Sequence, residues 1–354
     1  MRSMHGGQHA VPQLSFLTIL TNGAKIHIPM DKLLRIRSRS TSYSETPSLK
    51  ESLLNLIVCP ACHHNLDLTI KKRMDREIEH GSLKCKQCSA AYPIVRGIPR
   101  FVTSDHYTRS FSAEWNLFST TQLDRGTTTG TRETFAEKTG LSPDKVTGKV
   151  LEAGCGMGRF LEVLSHSQGV TVVGFDLSLA VEAAYKNVGS RDNVHILQAD
   201  VMKPPFNEQS FDLVYSLGVI HHTSNPKEAF MKLVSLVRRG GQIAIWVYQK
   251  YRRPPLSDFY RIFTSRMPWS TVLALSILLS HLYWLQKHWS YFLVLFPMST
   301  LADPERRVLD TLDWYSPKYQ FKFTRGDIVD WFLEAGLQEI EVLSNPISVK
   351  GRVT

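Results

Sequence analysis

The order of apolar runs, glycine turns and helical segments in this 354-residue chain predicts an α/β fold. It consists of a mainly parallel sheet covered on both faces by helices, preceded by a small cysteine-bearing module. Three observations carry this reading. Two C-x-x-C pairs stand near the N-terminus, a buried strand runs through an alternating-glycine turn into a helix at Val150 to Ser165, and strands then alternate with helices as far as Tyr248. A hydrophobic fraction of 43% against 21% charged residues excludes wholesale disorder.

The net charge of +10 is concentrated at the N-terminus: residues 1–50 hold seven Lys/Arg and two Asp/Glu, residues 51–101 eight and five, and residues 102–354 only 27 and 25. One broad polyanion-binding face is therefore excluded over most of the chain. Residues 1–49 read as a disordered basic tail, with an RNA-binding arm, or an extension upstream of a start at Met30, as alternatives. The apolar patch Leu14 to Leu20 is short for a signal-peptide core and has no small-residue cleavage site close behind it.

Residues 50–102 form the next module. Cys59-Pro60-Ala61-Cys62 and Cys85-Lys86-Gln87-Cys88 are separated by 22 residues. Two such knuckles bring four thiolates onto one zinc ion, and an extended hairpin from Leu66 to Leu83 spans the gap between them. Two disulfides are the alternative, disfavoured in a reducing compartment. His63 and His64 compete as ligands, but Cys59, Cys62, Cys85 and Cys88 complete a closed structural shell. With the apolar flanks Leu53 to Ile57 and Tyr92 to Pro99, the layout resembles the small zinc-ribbon activator subunit that pairs with tRNA, rRNA and protein methyltransferases, here fused ahead of another domain.

The strand Val150 to Ala153 enters Gly154-Cys155-Gly156-Met157-Gly158. Alternating glycines let backbone approach a ligand closely ahead of a helix N-terminus. A second strand, Val170 to Phe175, ends at Asp176, an acid placed to accept both ribose hydroxyls of a nucleoside. A third, Val194 to Gln198, ends at Ala199-Asp200, whose carboxylate suits an exocyclic adenine amine. Phe211 to Ser216 is the fourth strand, and Gly240-Gly241 precedes a fifth, Gln242 to Tyr248. Asp212 reads as structural and Cys155 receives no chemical role. The spacing G-x-G-x-G departs from the G-x-G-x-x-G of nicotinamide enzymes.

Over residues 103–354 these motifs resemble the class I S-adenosylmethionine-dependent methyltransferases, which implies a Rossmann-like sheet of seven strands and S-adenosyl-L-methionine as cofactor. The resemblance implies that Gly154, Gly156 and Gly158 approach the methionine part and Glu152 its amino group. It likewise implies that Asp176 holds the ribose and Asp200 the adenine, with Leu177, Val201 and Ser216 completing the cofactor set. His221 and His222 follow the fourth strand, where ligands bind in such sheets, and His222 is the first candidate for a base. The alternative is that one of them packs against or caps the helix opened by Asn225-Pro226. Trp115 and Phe111 stand ready to shield the cofactor, or simply to pack.

Residues 249–320 are an aromatic insert expected as a helical lid, implying an apolar or lipid-like small-molecule acceptor; a packing or dimerising lid is the alternative. From Met267 to Gln286 no Lys, Arg, Asp or Glu occurs, but serines and a histidine interrupt the run. Interfacial helices with peripheral membrane contact through 267–297 fit it better than a span. A helix from Thr324 to Glu334 and strands Leu337 to Leu343 and Ile347 to Gly351, turned at Pro346, close the fold. Two functions remain at this point. The first is methyl transfer to a small-molecule or lipid-like acceptor by a cytoplasmic or membrane-peripheral protein. The second is RNA methylation with ribbon and tail holding nucleic acid, which the near-neutral charge of 102–354 disfavours.

Overall fold

The computed structural model describes residues 16–21, 24–29, 49–74, 77–103, 106–124, 130–252, 255–287, 291–343 and 347–354. The expected disordered tail lies mostly outside these residues, as do Met30, Trp289 and the Pro346 turn. Within the tail, however, β1 (Phe16–Thr21) and β2 (Ala24–Pro29) pair antiparallel, in a unit separate from the rest of the chain. The sequence signal for that hairpin is Asn22-Gly23 between two β-forming runs.

The cysteine module is a four-stranded antiparallel sheet of β3 (Leu66–Met74), β4 (Glu77–Cys85), β5 (Ala91–Val95) and β6 (Ile98–Pro99). β3 and β4 are the long hairpin that spans the two knuckles, pairing Leu66 with Cys85. Helices α1 (Arg109–Leu117) and α2 (Thr131–Thr139) follow.

A doubly wound unit comes next: β7 (Gly148–Ala153), α3 (Arg159–Leu164), β8 (Val170–Asp176), α4 (Val181–Val188) and β9 (Val194–Gln198). Its second half is β10 (Phe211–Leu217), α5 (Pro226–Ser235) and β11 (Val237–Trp246). The insert supplies α6 (Leu256–Thr264), α7 (Trp269–His281), α8 (Tyr291–Leu295) and α9 (Pro304–Tyr315). The chain closes with α10 (Arg325–Glu334), β12 (Gln338–Val342) and β13 (Ser348–Arg352). Thr324 caps α10 in a reciprocal capping box with Asp327.

The seven strands run in the order β12-β13-β11-β10-β7-β8-β9, with β7 to β11 mutually parallel and β12 and β13 antiparallel. Strand order reverses between β7 and β10, so a crevice opens at their carboxyl ends. β11 begins at Val237, ahead of the expected Gln242, and contains Gly240-Gly241 within it. There the register jumps from Phe211↔Val237 to Leu213↔Gln242. Gly241 permits this because a Cβ would lie 2.8 Å from the Asp212 carbonyl oxygen. Asp212 is structural as expected, accepting from the Lys149 amide at 2.7 Å and from Arg238 Nε at 2.5 Å.

The cysteine module docks on the free edge of this sheet. Phe101 N donates to Gln198 O at 2.8 Å, extending past β9, and Val58 N donates to Pro205 O at 2.9 Å. Lys50 Nζ donates to three carbonyls, Gly189, Arg191 and Val194, at 2.8, 2.6 and 3.0 Å. Arg100, 7% exposed, pairs with Glu182 on α4. Leu53, Ile57, Ile78 and Ile94 share one buried cluster with Phe175, Leu197 and Phe206 of the larger domain. Hydrophobic burial therefore runs uninterrupted from the module into the sheet.

Candidate active site

Each strand of the parallel unit delivers something different to the crevice. Gly154 leaves β7 at φ +81°, where a Cβ would lie 2.3 Å from Val219. Its amide donates to Phe175 O at 2.7 Å, closing the turn. The Gly156 amide donates to Asp176 Oδ2 at 3.0 Å, while Ser178 donates to Oδ1 from its amide at 2.8 Å and its hydroxyl at 2.7 Å. Glycine loop and acidic strand tip are thus one hydrogen-bonded unit. Burial raises the Asp176 pKa against those bonds.

Glu152 is 3% exposed and accepts from Tyr215 Oη at 3.0 Å; burial lifts its carboxyl well above the usual range. Asp200 turns the chain after β9 by accepting from the Met202 amide at 2.9 Å. These groups line one cavity of about 320 Å³, with Gly154, Gly156, Leu177, Val201, Trp115, Phe111 and His222. Gly158 does not line it; its φ of +85° precedes α3, and a Cβ there would lie 3.3 Å from Ala184 of α4.

Ser216 departs from expectation. It is fully buried and donates to Ala153 O at 3.0 Å, tying β10 to β7, and it does not line the cavity. On a strand the side chains alternate in direction, and position 216 falls on the turned-away side.

His221 departs likewise. It is fully buried with both ring nitrogens unpartnered, 4.1 Å from the Tyr248 ring, and burial depresses its pKa far below 6.5. Among the lining residues only His222 of the pair appears. Its Nδ1 lies 2.7 Å from Tyr319 O, and a carbonyl can only accept, so the proton sits on Nδ1 and Nε2 keeps its lone pair. Burial lowers its pKa while the Asp313 charge opposes the shift.

Several lining residues had no sequence signal. Glu114 comes from α1, Lys138 from α2, Arg159 from α3, Trp246 and Tyr248 from the end of β11 and beyond, and Asp310 and Asp313 from α9. Lys138 Nζ stands 3.3 Å over the Trp246 ring, and burial pushes its pKa down to about 7. Trp246, Tyr248, Asp310 and Asp313 also wall a second cavity of about 570 Å³, reaching Tyr251, Trp314 and Lys322.

At the other end of the chain, the sulfurs of Cys59, Cys62, Cys85 and Cys88 all lie within 4.8 Å of one another. Cys59–Cys88 and Cys62–Cys85 approach to 3.6 and 3.4 Å. A tetrahedral zinc with Zn–S of about 2.3 Å sets its sulfurs about 3.8 Å apart, so the set suits one structural ion. The Cys88 and Gln87 amides, at 3.5 and 3.4 Å from Cys85 Sγ, draw its pKa down to about 6. His64 turns to Cys62 O at 2.8 Å and stays out of the cluster.

Residues 50–97 match the Trm112p-like protein family, and residues 151–245 match a methyltransferase domain family. Phosphoethanolamine N-methyltransferase 3 of Arabidopsis thaliana is 29% identical over 170 residues, 46% of this chain and 33% of that protein. The mouse protein named "Probable tRNA methyltransferase 9B" (Mus musculus) is 30% identical over 151 residues, 41% of this chain and 31% of the relative. The chain thus spans about a third of the length of these curated relatives. A solved structure of Haemonchus contortus phosphoethanolamine N-methyltransferase 2 aligns at TM-score 0.42 and 17% identity, over 71% of this chain and 48% of that one. The four-cysteine module and the glycine-loop sheet are, respectively, a Trm112p-like domain and a methyltransferase domain joined in one chain.

Proposed function

We propose that the chain is an S-adenosylmethionine-dependent methyltransferase that modifies a small-molecule or lipid-like acceptor. The observation that carries the reading is the single cavity walled by the glycine loop, Glu152, Asp176 and Asp200 together with His222, Trp246 and Tyr248. Bound S-adenosylmethionine supplies an electrophilic methyl group on a sulfonium. Asp176 would hold the ribose hydroxyls with the lone pairs left beyond its Gly156 and Ser178 bonds. Asp200, Leu177 and Val201 would hold the adenine, and Glu152 the methionine ammonium, a cation that would restore ionisation to a buried carboxyl. Trp115 and Phe111 exclude water from the site. His222 Nε2 takes a proton from the acceptor, and the Tyr319 carbonyl fixes its ring.

The insert adds a peripheral-membrane reading. Phe259, Ile262, Phe263, Met267, Leu275 and Leu278 are each at least 40% exposed on α6 and α7 or just after them, a face suited to shallow insertion at a lipid interface. No helix among the described residues is long and apolar enough to cross a membrane. The RNA reading has the mouse relative's name in its favour, and against it a cavity lined by six carboxylates and two basic residues, a poor match to phosphate.

Incubation with S-adenosylmethionine labelled in its methyl group and total RNA, protein, lipid and small-molecule extracts tests the reading. Label in the lipid or small-molecule fraction is expected. Label confined to RNA would overturn the acceptor class, and failure to bind S-adenosylhomocysteine would overturn the activity.

A further inference from the structure

Three carboxyl groups from helices outside the sheet line the cofactor-side cavity: Glu114 on α1, and Asp310 and Asp313, three residues apart on α9. Glu114 is 1% exposed, and its Oε2 has no hydrogen-bond partner. Asp313 accepts from Tyr248 Oη, and Asp310 from Ser299 Oγ at 3.2 Å. No salt bridge among the described residues reaches any of the three. The cations facing them are Arg159, whose Nη1 is spent on Gln122 at 2.7 Å, Arg306, and Lys138 above the Trp246 ring.

Three carboxyls lining one cavity, Glu114 buried and the two aspartates half-buried, resist full ionisation without a counter-charge, because desolvation and mutual repulsion both favour the neutral acid. Glu114 and Asp310 both follow this rule: burial and the neighbouring aspartates lift their pKa values, Asp310 to about 6. A guest bearing positive charge would relieve both costs. Beside the carboxyls stand the Trp246 and Tyr248 rings, whose faces attract cations, as the Lys138 ammonium 3.3 Å above Trp246 already shows. Asp310, Asp313, Trp246 and Tyr248 also form the partition with the second cavity of about 570 Å³, which gives the rest of such a guest somewhere to go.

We infer that the methyl acceptor is an amine, bound as its ammonium ion among Glu114, Asp310 and Asp313 against the Trp246 and Tyr248 rings, with its remainder in the second cavity. This rests on the methyltransferase reading above. Before methylation an N–H bond of the ammonium breaks and the proton forms an N–H bond at His222 Nε2. The lone pair stays on the acceptor nitrogen, and the Asp313 charge stabilises the imidazolium.

Choline and 3,3-dimethyl-1-butanol have the same shape and differ in charge, so they are the probes. Calorimetric titration of the full chain saturated with S-adenosylhomocysteine should show choline binding at least about tenfold tighter. Glu114→Gln and Asp310→Asn should each weaken choline about tenfold while leaving the alcohol and S-adenosylhomocysteine within twofold. Because Glu114 is an unpaired buried acid, Glu114→Gln should melt no lower than the wild type at pH 8, which shows that it folds. Equal binding of the two probes, or undiminished choline binding by both variants, overturns the inference. Loss of S-adenosylhomocysteine binding by the wild type with choline binding intact strikes the methyltransferase reading instead.

Discussion

Gly154→Ala is the sharpest probe of the loop, because two separate physical terms oppose a side chain there. The backbone sits at φ +81°, a region in which an L-residue costs about 1–2 kcal/mol relative to glycine. The new Cβ would also meet Val219 Cγ1, Cγ2 and Cβ at 2.3, 2.4 and 2.8 Å, well inside contact distance. Overpacking of this kind costs about 1–3 kcal/mol, so the substitution should destabilise by about 2–5 kcal/mol in all. In a domain of this size that corresponds to a fall in Tm of about 5–15 °C, read by scanning calorimetry. Gly156→Ala is the internal control. Its φ of +51° carries a related backbone cost, but the nearest side-chain atom is 3.6 Å away on Trp115, so its loss should stay near 1 kcal/mol. Adding Val219→Ala to Gly154→Ala should recover the steric part of the loss and leave the backbone part. A Gly154→Ala protein that melts within a degree of the wild type, or a double variant with no recovery, would refute this account of the turn.

Three further outcomes follow from other parts of the molecule. Purified protein should carry about one zinc per chain by elemental analysis, and Cys85→Ser should lose it along with protection of the hairpin from hydrogen exchange; a metal-free, fully protected Trm112p-like domain would contradict the site. Arg100→Met should cost about 2 kcal/mol, below the usual loss for a broken buried pair because Arg96 still reaches Glu182 at 2.6 Å, and the melt and exchange at residues 78–101 should both register it. His222→Gln should lower turnover about 10²-fold or more at neutral pH and remove the acidic limb of the rate profile. That limb belongs below pH 6.5 in the wild type, because burial depresses the His222 pKa and the base is lost as pH falls through it. An unchanged profile would exclude His222 as the proton acceptor.

What the sequence revealed was whatever is local. A glycine turn, an acid at a strand tip and a C-x-x-C knuckle are each set by a few consecutive residues, and so β7, β8 and β9 and the four cysteines were legible. Ser216 was misplaced because side-chain direction on a strand depends on register with β7, a non-local property. Sequence ranks His222 ahead of His221 as a base but places neither ring; only the course of residues 319–321 past them gives His222 a carbonyl partner. The carboxyl cluster was illegible for a stronger reason. Glu114 and Asp313 are brought together only by packing of α1 and α9 around the cavity, and the charged surface of an amphipathic helix reads the same whether water or a ligand faces it.

The bond from Phe101 to Gln198 has a consequence for how the protein behaves on dilution. A partner that binds a sheet edge as a separate chain is lost as the pair falls below its Kd. Here the partner is held by a covalent tether whose effective concentration is of millimolar order, so edge pairing is independent of expression level. The same contact covers backbone amides and carbonyls that an open sheet edge would offer to any passing chain. Tethering therefore fixes stoichiometry at one to one and, in the same step, protects the sheet from unwanted strand addition.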